Sequence, residues 1–149
     1  MIFPGIALPG FDSFKKKRTI DANFIDHGLA SLSASAKAHG YRVDLIDLRA
    51  LTDWQHFRAE VRRRSSPVWA LTSWSLHYPD VTRAVRIIKE EHEDAIVVLG
   101  GVHCTIQTAQ VASNSLIDHI ITQEGEISFV KLLDRLADGQ AADRIIVGE

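Results

Sequence analysis

Five short apolar runs alternate along the chain with segments of helical periodicity, and this alternation constrains the fold more than any other feature. The fourth run is the clearest, because AIVVLG passes directly into the glycine-rich loop GGVHCT. Strands joined by helical crossovers form parallel sheets, since each helix returns the chain to the edge where the previous strand began. The sequence therefore predicts an α/β protein with a Rossmann-like (flavodoxin-like), doubly wound parallel sheet of five strands.

Strands are predicted where a short apolar run is bounded by turn residues. The first runs from Met1 to about Leu8, and the second from about Arg42 to Asp47. The third is VWALTS after Pro67, the fourth is AIVVLG and the fifth is DHIIT. The apolar trio in the tail RIIVGE either packs back on the sheet or leads into a continuation of the natural chain.

Helices are predicted where apolar residues recur at helical spacing between capping signals. The first runs from about Ala22 to His39, and the second is capped by Thr52 or Asp53 and ends near Arg64. Pro79 begins the third, DVTRAVRIIKEEHE. A short helix, TIQTAQVASN, and a strongly amphipathic one, EISFVKLLDRLADG, complete the pattern.

Composition bounds the class of protein. With 149 residues, 46% of them hydrophobic, the chain is the size of one domain, so a single domain over residues 1–149 is predicted. A net charge of −2 gives no reason to expect nucleic acid or an anionic membrane as a partner. The basic run Lys15–Arg18 is interpreted as a solvated loop, with steering of an anionic ligand as the alternative.

Targeting and redox signals are few. No run of about 18 apolar residues and no signal-peptide pattern occurs, so neither a membrane span nor secretion is expected. The single cysteine, Cys104, cannot form an internal disulfide or hold a cysteine-ligated cluster within this chain. The expected location is the cytoplasm.

The loops after the strands carry the candidate site. In a parallel sheet these loops gather at the carboxyl edge, where ligands bind. Here they are rich in glycine, hydroxyl and histidine side chains rather than plain turn residues. The predicted binding residues are Pro9, Gly10, Thr72, Ser73, Trp74, Ser75, His77, Tyr78, Gly100, Gly101, Val102, His103, Gln123, Glu124 and Gly125. No catalytic residue is predicted.

Two of these loops have a structural interpretation as well. Gly100 and Gly101 would let backbone amides approach a phosphate, or they form a tight turn that needs a positive φ. Glu124 and Glu126 would cap the last helix, with Gly125 permitting the turn. For Glu126 the capping role is at least as well supported as a role in ligand binding.

Four motifs together carry a resemblance to a known family. They are the helix start HGLASLSASA, Tyr78-Pro79-Asp80 after the third strand, Gly100-Gly101-Val102-His103, and Gln123-Glu124-Gly125-Glu126. In order and spacing they resemble the cobalamin (B12)-binding domain of cobalamin-dependent radical SAM proteins, over nearly the whole chain. That family has LGLAYLAAYL, Tyr-Pro-Asp, Gly-Gly-Pro-His and Gly-Glu-Gly-Glu at these places.

The resemblance implies a function. It implies a corrinoid bound at the carboxyl edge and presented to a radical SAM domain or partner, which carries an iron-sulfur cluster and SAM, for methyl transfer. This chain lacks the Cys-x-x-x-Cys-x-x-Cys triplet of that partner, so it is expected to bind cobalamin without turnover. It would be the amino-terminal part of a longer radical SAM protein or a stand-alone version.

The resemblance also suggests where the nucleotide tail of cobalamin lies. In the wider fold a Ser-x-Leu motif after strand three lines the tail slot, and Thr72 and Trp74 take those two positions here. The tail is therefore expected between the loops 72–75 and 100–103. Trp74 either stacks on the corrinoid or fills an empty slot.

No metal ligand is placed by motif. The Asp-x-His-x-x-Gly motif, which supplies a lower cobalt ligand in methionine-synthase-like proteins, is absent, so base-off cobalamin without a protein ligand is expected. His27 is a weak candidate for cobalt. His77 and His103 are better placed for hydrogen bonds to the ligand. The remaining histidines, His39, His56, His92 and His119, are interpreted as structural.

Two other classes of function remain open. A flavodoxin-like regulator or flavin protein would share the sheet topology. It would also require an acidic pair or a Ser/Thr-rich phosphate loop after strand one, which this sequence lacks. An interaction module that has lost the corrinoid, or never had it, would fit a slot filled by Trp69, Trp74 and His77.

Overall fold

A computed structural model describes residues 1–4 and 26–149 of the chain. These residues contain one sheet of six parallel strands. The strand order is β2-β1-β3-β4-β5-β6. The strands are β1 (Ile2–Phe3), β2 (Ile46–Asp47), β3 (Val68–Thr72), β4 (Ile96–Gly100), β5 (His119–Thr122) and β6 (Ile145–Val147).

Helices cover both faces of this sheet. They are α1 (His27–Ala38), α2 (Trp54–Arg62), α3 (Tyr78–Glu91), α4 (Val102–Ile106), α5 (Thr108–Ala112) and α6 (Glu126–Ala137). Short 3₁₀ turns follow β2 (Leu48–Ala50) and precede α3 (Ser75–His77). The order of strands and the helices on both faces confirm the predicted doubly wound, flavodoxin-like α/β fold.

Side chains alternate between the two faces of the sheet along each strand, so the core has two layers. Trp69, Leu71, Val97 and Leu99 point to the first face, where they pack with α2, α3 and the region of α4 and α5. Val98 and Ile121 are among the residues that point to the second face, where α1 and α6 pack. Each central strand is therefore apolar on both sides, which is why it reads as a continuous apolar run in the sequence.

The boundaries of the helices follow from local capping. The side chain of Asp26 accepts a hydrogen bond from the Leu29 amide and caps α1, which begins at His27; the predicted start near Ala22 lies outside the described residues. Asp53, rather than Thr52, caps α2, because its carboxylate accepts from the His56 amide at 2.8 Å. Phe24 and Ile25, expected on the first helix, lie outside the described residues.

Two predictions about the strands and helices were incomplete. The helix predicted after GGVH is two short helices, α4 and α5, and it starts three residues earlier, at Val102. The tail forms a sixth strand, because Ile145–Val147 pairs in parallel with β5. The tail therefore packs on the sheet, which was one of its two interpretations. The first strand is described only as far as Pro4.

The histidines interpreted as structural make local contacts. Nδ1 of His39 pairs with the Ser35 carbonyl, Nε2 of His92 with the Val61 carbonyl, and Nδ1 of His119 with the Asp143 carbonyl.

None of the helices in the described part of the chain is long and apolar enough to cross a membrane.

Candidate functional site

The loops after β3 and β4 meet at the carboxyl edge of the sheet, as the topology requires. The Ser73 amide donates to the Gly100 carbonyl at 2.9 Å, and the His103 amide donates to the Ser73 carbonyl at 3.0 Å. Both backbone groups of Ser73 are therefore used, and the residue is completely buried. Ser73 therefore joins the two loops between which the sequence suggested a passage for a nucleotide tail.

His103 joins the same two loops through its side chain. Its Nδ1 lies 3.0 Å from the Ser75 hydroxyl, and its ring lies against the Tyr78 ring with centroids 4.3 Å apart. The side chain is buried, at 4% exposure. These contacts fix the 3₁₀ turn at Ser75–His77 relative to the glycine loop, so His103 is in the site but not on its surface.

Gly101 has the structural role that was one of its two interpretations. Its φ of +96° and ψ of 176° belong to a region that is essentially restricted to glycine. A Cβ at this position would lie 2.7 Å from Thr72 Oγ1 and 2.8 Å from the Ser73 amide nitrogen. Gly100 differs, because a Cβ there would approach only the Ile121 carbonyl, at 3.6 Å.

An apolar surface lies around these loops at the carboxyl edge. Of the eight large hydrophobic side chains that are exposed in the described part of the chain, five follow β3, β4 or β5. They are Trp74, Leu76, Val102, Ile106 and Ile127, with exposures of 48%, 70%, 60%, 62% and 51%. We call these five residues the apolar rim. Clustered exposed apolar residues on a single edge are a feature of binding surfaces.

Polar atoms without partners lie beneath the rim. Nδ1 of His77, Oδ2 of Asp80 and Nε2 of His103 are buried and make no hydrogen bond to any described residue. Burial lowers the pKa of His77, partly offset by the Asp80 charge, and burial raises the pKa of Asp80. Because buried polar groups are nearly always paired, these atoms mark a place where a polar ligand or water would bind.

The loop after β5 differs from its expected form. Gln123, rather than Gly125, has the positive φ, at 59°, and its amide donates to Thr105 Oγ1 at 2.8 Å. The α6 N-cap is Gly125 and no side chain caps the helix, so the predicted capping by Glu124 and Glu126 was wrong. Glu126 still places its charge in the first turn, where the helix dipole favours it.

His27, Pro9 and Gly10 were also candidates for the site. His27 is exposed and begins α1. Pro9 and Gly10 lie outside the described residues. Within the described ranges no group of three or more histidine, cysteine, aspartate or glutamate side chains is arranged to hold a metal ion. Cys104 is buried, and burial raises its pKa to about 12, so its thiol is not a ready ligand.

A groove lies beneath α1. It has a volume of about 340 Å³ and lies between α1 and the strands β1 and β2. Its walls are mainly apolar, with Phe3, Leu29 and Val43 among them, and its charged lining residues are Asp26, Lys37 and the ion pair Asp47–Arg49. A larger groove of about 870 Å³ continues along the second face towards the amino edge, and Met1 and Val43 line both.

Sequence reasoning missed three rim residues, Leu76, Ile106 and Ile127. Each lies in a helical or loop pattern in which apolar residues are expected to pack inwards. The available signal was position, because each follows a strand by only a few residues and therefore lies near the carboxyl edge. The groove beneath α1 gave no sequence signal, since its walls come from three separate segments.

Comparison with protein families identifies the class. The family model described as the B12 binding domain matches residues 17–133 of the 149. The chain therefore belongs to the B12-binding domain family, and the resemblance carried by the four motifs is confirmed. No curated protein matches the chain.

Solved structures share the fold. Structures of TsrM, a radical S-adenosylmethionine methyltransferase from Kitasatospora setae, match with TM-scores of 0.75 (cobalamin and a 4Fe–4S cluster bound) and 0.74 (tryptophan and aza-SAM bound). Each is 16% identical and covers 95% of this chain. The N-terminal domain of a hypothetical protein from Thermotoga maritima matches at 0.53, with 19% identity, 80% of this chain and 88% of that one. The chain spans about a quarter of the TsrM chains.

Proposed function

We propose that this chain binds cobalamin across the carboxyl edge of its sheet and presents it to a radical SAM domain or protein for methyl transfer. The observation that carries the proposal is the apolar rim, which surrounds the loops after β3 and β4 in a member of the B12-binding domain family. The corrin ring is a broad ligand with apolar faces and amide-bearing edges, so it requires a mainly apolar surface with a few hydrogen-bonding groups.

The rim supplies the apolar part of that surface. Trp74 and Leu76 come from the loop after β3, whereas Val102 and Ile106 lie on α4 at a spacing of four residues, on one side of the helix. Ile127 adds a fifth contact from the first turn of α6. Because three different loops contribute, only a ligand with the width of a macrocycle or a protein surface would contact all of them together.

The polar groups of the site lie within and below the rim. We assign the binding role to the loop residues proposed from the sequence: Thr72, Ser73, Trp74, Ser75, His77, Tyr78, Gly100, Gly101, Val102, His103, Gln123, Glu124 and Gly125. His77 has a buried ring nitrogen without a partner, and Ser75 is exposed. These two are the best placed to meet the amide groups at the margin of a corrin ring. Bound cobalamin would supply a cobalt centre that carries a methyl group.

We infer a position for the nucleotide tail beside the loops expected from the sequence. Because the loops after β3 and β4 are hydrogen-bonded to each other through Ser73, we place the tail in the groove beneath α1. The apolar walls suit a benzimidazole, and Lys37 suits the phosphodiester charge, whereas Arg49 is ion-paired with Asp47. A tail held there could not coordinate cobalt, so base-off binding is the expected state.

Cobalt would then have no protein ligand on its lower face. His27 is the described histidine that begins the helix over this groove, and it is exposed. The paramagnetic resonance spectrum of the cobalt(II) form distinguishes the states, because a coordinated nitrogen splits the lines. An unsplit spectrum is expected in the wild-type protein and in His27→Ala. A split spectrum that becomes unsplit in His27→Ala would make His27 the ligand.

Binding itself is tested by titration with hydroxocobalamin, followed by visible absorbance and calorimetry. Val102→Asp places a charge in the rim and should weaken binding about tenfold or more, since removing one apolar contact of this size costs about 1–2 kcal/mol. Ile145→Asp is the matched control, because Ile145 is similarly exposed but lies on β6. Equal affinity in the two variants would contradict the assignment of the rim.

Two variants on α1 test where the nucleotide tail of cobalamin lies. Ser33 lines the groove, and its neighbour Ala34 is exposed and does not. Ser33→Phe should reduce affinity for cobalamin but not for cobinamide, which lacks the nucleotide, whereas Ala34→Phe should change neither. Unchanged cobalamin affinity in Ser33→Phe would place the tail elsewhere. A wild-type chain that binds no corrinoid at all would favour the interaction module.

A further inference from the structure

His77 and Asp80 are neighbours at the start of α3, next to the apolar rim. His77 ends the 3₁₀ turn that carries the rim residue Leu76, and it is also the N-cap of α3. Asp80 follows three residues later, in the first turn of the helix. Residues at this spacing lie side by side on a helix surface, and the interaction between the two charges affects the pKa of both. We call these two residues the polar pair.

Each member of the polar pair has an unused hydrogen-bonding atom. Nδ1 of His77 and Oδ2 of Asp80 are buried, and neither has a partner among the described residues. The carboxylates of Asp26 and Asp53 differ, because each accepts a hydrogen bond from an amide in the first turn of its own helix. Buried polar atoms are nearly always paired in folded proteins. The polar pair therefore has hydrogen-bonding capacity left for a ligand.

The charge of Asp80 decides which ligand groups suit it. Within the described part of the chain Asp80 forms no ion pair, and Arg83, the first cation along α3, places its guanidinium over the Trp54 ring, 4.8 Å from the centroid. Arg83 lowers the pKa of Asp80 less than burial raises it. An ionised carboxylate only accepts hydrogen bonds, so Asp80 favours a ligand group that donates N–H and carries no negative charge.

We propose that His77 and Asp80 bind primary amides at the margin of the corrin ring, and that Asp80 selects against corrinoids whose side chains end in carboxylates. This inference rests on the proposed function and names the ligand groups that the polar pair recognises. A primary amide donates two hydrogens and accepts through its carbonyl, so it pairs with the Asp80 carboxylate and with either tautomer of a neutral imidazole. A carboxylate in the same place would face the Asp80 charge, and contact between like charges weakens binding.

A ligand on the rim reaches the polar pair through a change of side-chain rotamer. Both residues are only half-buried, and side chains at interfaces commonly change rotamer on binding. His103 differs, because it is 4% exposed and its ring is held by contacts with Ser75 and Tyr78. His103 therefore supports the turn before α3, whereas His77 and Asp80 are able to rotate towards the ligand.

Two corrinoids without a nucleotide test the selection, because the groove beneath α1 then has no part in the result. The side chains of cobinamide end in amides, whereas those of cobyrinic acid end in carboxylates. Titration of the full chain at about pH 8, followed by visible absorbance and calorimetry, should give an affinity for cobinamide that is higher by about tenfold or more. Asp80→Asn keeps an acceptor and removes the charge, so this ratio should fall to about threefold or less.

Asp94→Asn is the matched control, because it removes an exposed charge at the amino edge of the sheet, just before β4. It should leave the ratio of the two affinities unchanged. Equal affinity of the wild-type chain for both corrinoids, or a wild-type ratio in Asp80→Asn, would overturn the inference and leave cobalamin binding standing. Binding of cobalamin but of neither smaller corrinoid would also overturn it. A chain that binds no corrinoid would contradict the proposed function itself.

Variants of His77 test the other member of the polar pair without relying on Asp80→Asn to fold. His77→Ala should lower the affinity for cobinamide by about fivefold or more, because a partner of the amide is lost. His77→Gln should restore most of this affinity, since its side-chain amide also donates and accepts. Wild-type affinity for cobinamide in His77→Ala, or no recovery in His77→Gln, would overturn the assignment of His77.

Discussion

Adjacent glycines in the loop after β4 should respond oppositely to the same substitution. Gly101→Ala places a Cβ 2.7 Å from Thr72 Oγ1 and within 2.9 Å of two backbone atoms of Ser73. Backbone strain at a φ of +96° costs about 1–3 kcal/mol, and relief of the overlap costs a similar amount. The free energy of unfolding should therefore fall by roughly 4 kcal/mol.

Gly100→Ala is the matched control, because its Cβ would make only an ordinary contact, 3.6 Å from the Ile121 carbonyl. Because alanine restricts the unfolded chain more than glycine does, Gly100→Ala should leave the stability of the folded protein unchanged or raise it by up to about 1 kcal/mol. Urea unfolding followed by circular dichroism measures both values. At about 2–4 °C per kcal/mol, Gly101→Ala should also lower Tm by roughly 12 °C. A Gly101→Ala protein within about 0.5 kcal/mol of wild type would refute the argument.

Three further outcomes are expected. Glu91 accepts hydrogen bonds from Arg62 and Arg58, which hold its pKa at about 2, below the usual 4.5. Because the folded pKa is depressed, this stabilisation is present above pH 4.5 and lost as the pH falls through 2. Glu91→Gln should therefore lower Tm at pH 7, and the difference should vanish below pH 2. Asp53→Ala should cost about 1 kcal/mol in urea unfolding, because it removes the α2 cap, whereas Thr52→Ala should cost less. Finally, the chain alone should neither cleave SAM nor transfer a methyl group, because one cysteine cannot hold a cluster that needs three or more thiolates. SAM-derived products from the pure chain under reducing conditions would contradict this last expectation.

The fold was largely predictable because local signals and the global pattern agree. The apolar runs became β2 to β5, Pro79 lies in the first turn of α3, and the four motifs were sufficient to indicate the family. The sixth strand was harder to predict, because three apolar residues form a strand only if the edge of β5 is free to accept them. That condition depends on the whole sheet rather than on the tail.

The site was only partly predictable. The glycine loop and the loop after β3 were placed correctly at one edge, because parallel topology alone requires it. The sequence could not show that Ser73 uses both of its backbone groups to bind the β4 loop. Nor could it show that Gln123, an ordinary residue, would adopt a left-handed conformation in the loop where Gly125 was expected to permit the turn.

The direction of β6 also determines where another protein can be fused to the chain. After α6 the backbone is at the amino edge, and the parallel run of β6 carries it back, so that Gly148 pairs with Thr122 and Glu149 lies beside Lys131. Residue 149 is therefore on the same edge as the apolar rim. A protein fused there through a short flexible linker would be held near the rim at an effective concentration in the millimolar range. A fusion after Ala137, at the end of α6, would begin at the far edge of the sheet and would need a linker long enough to span it.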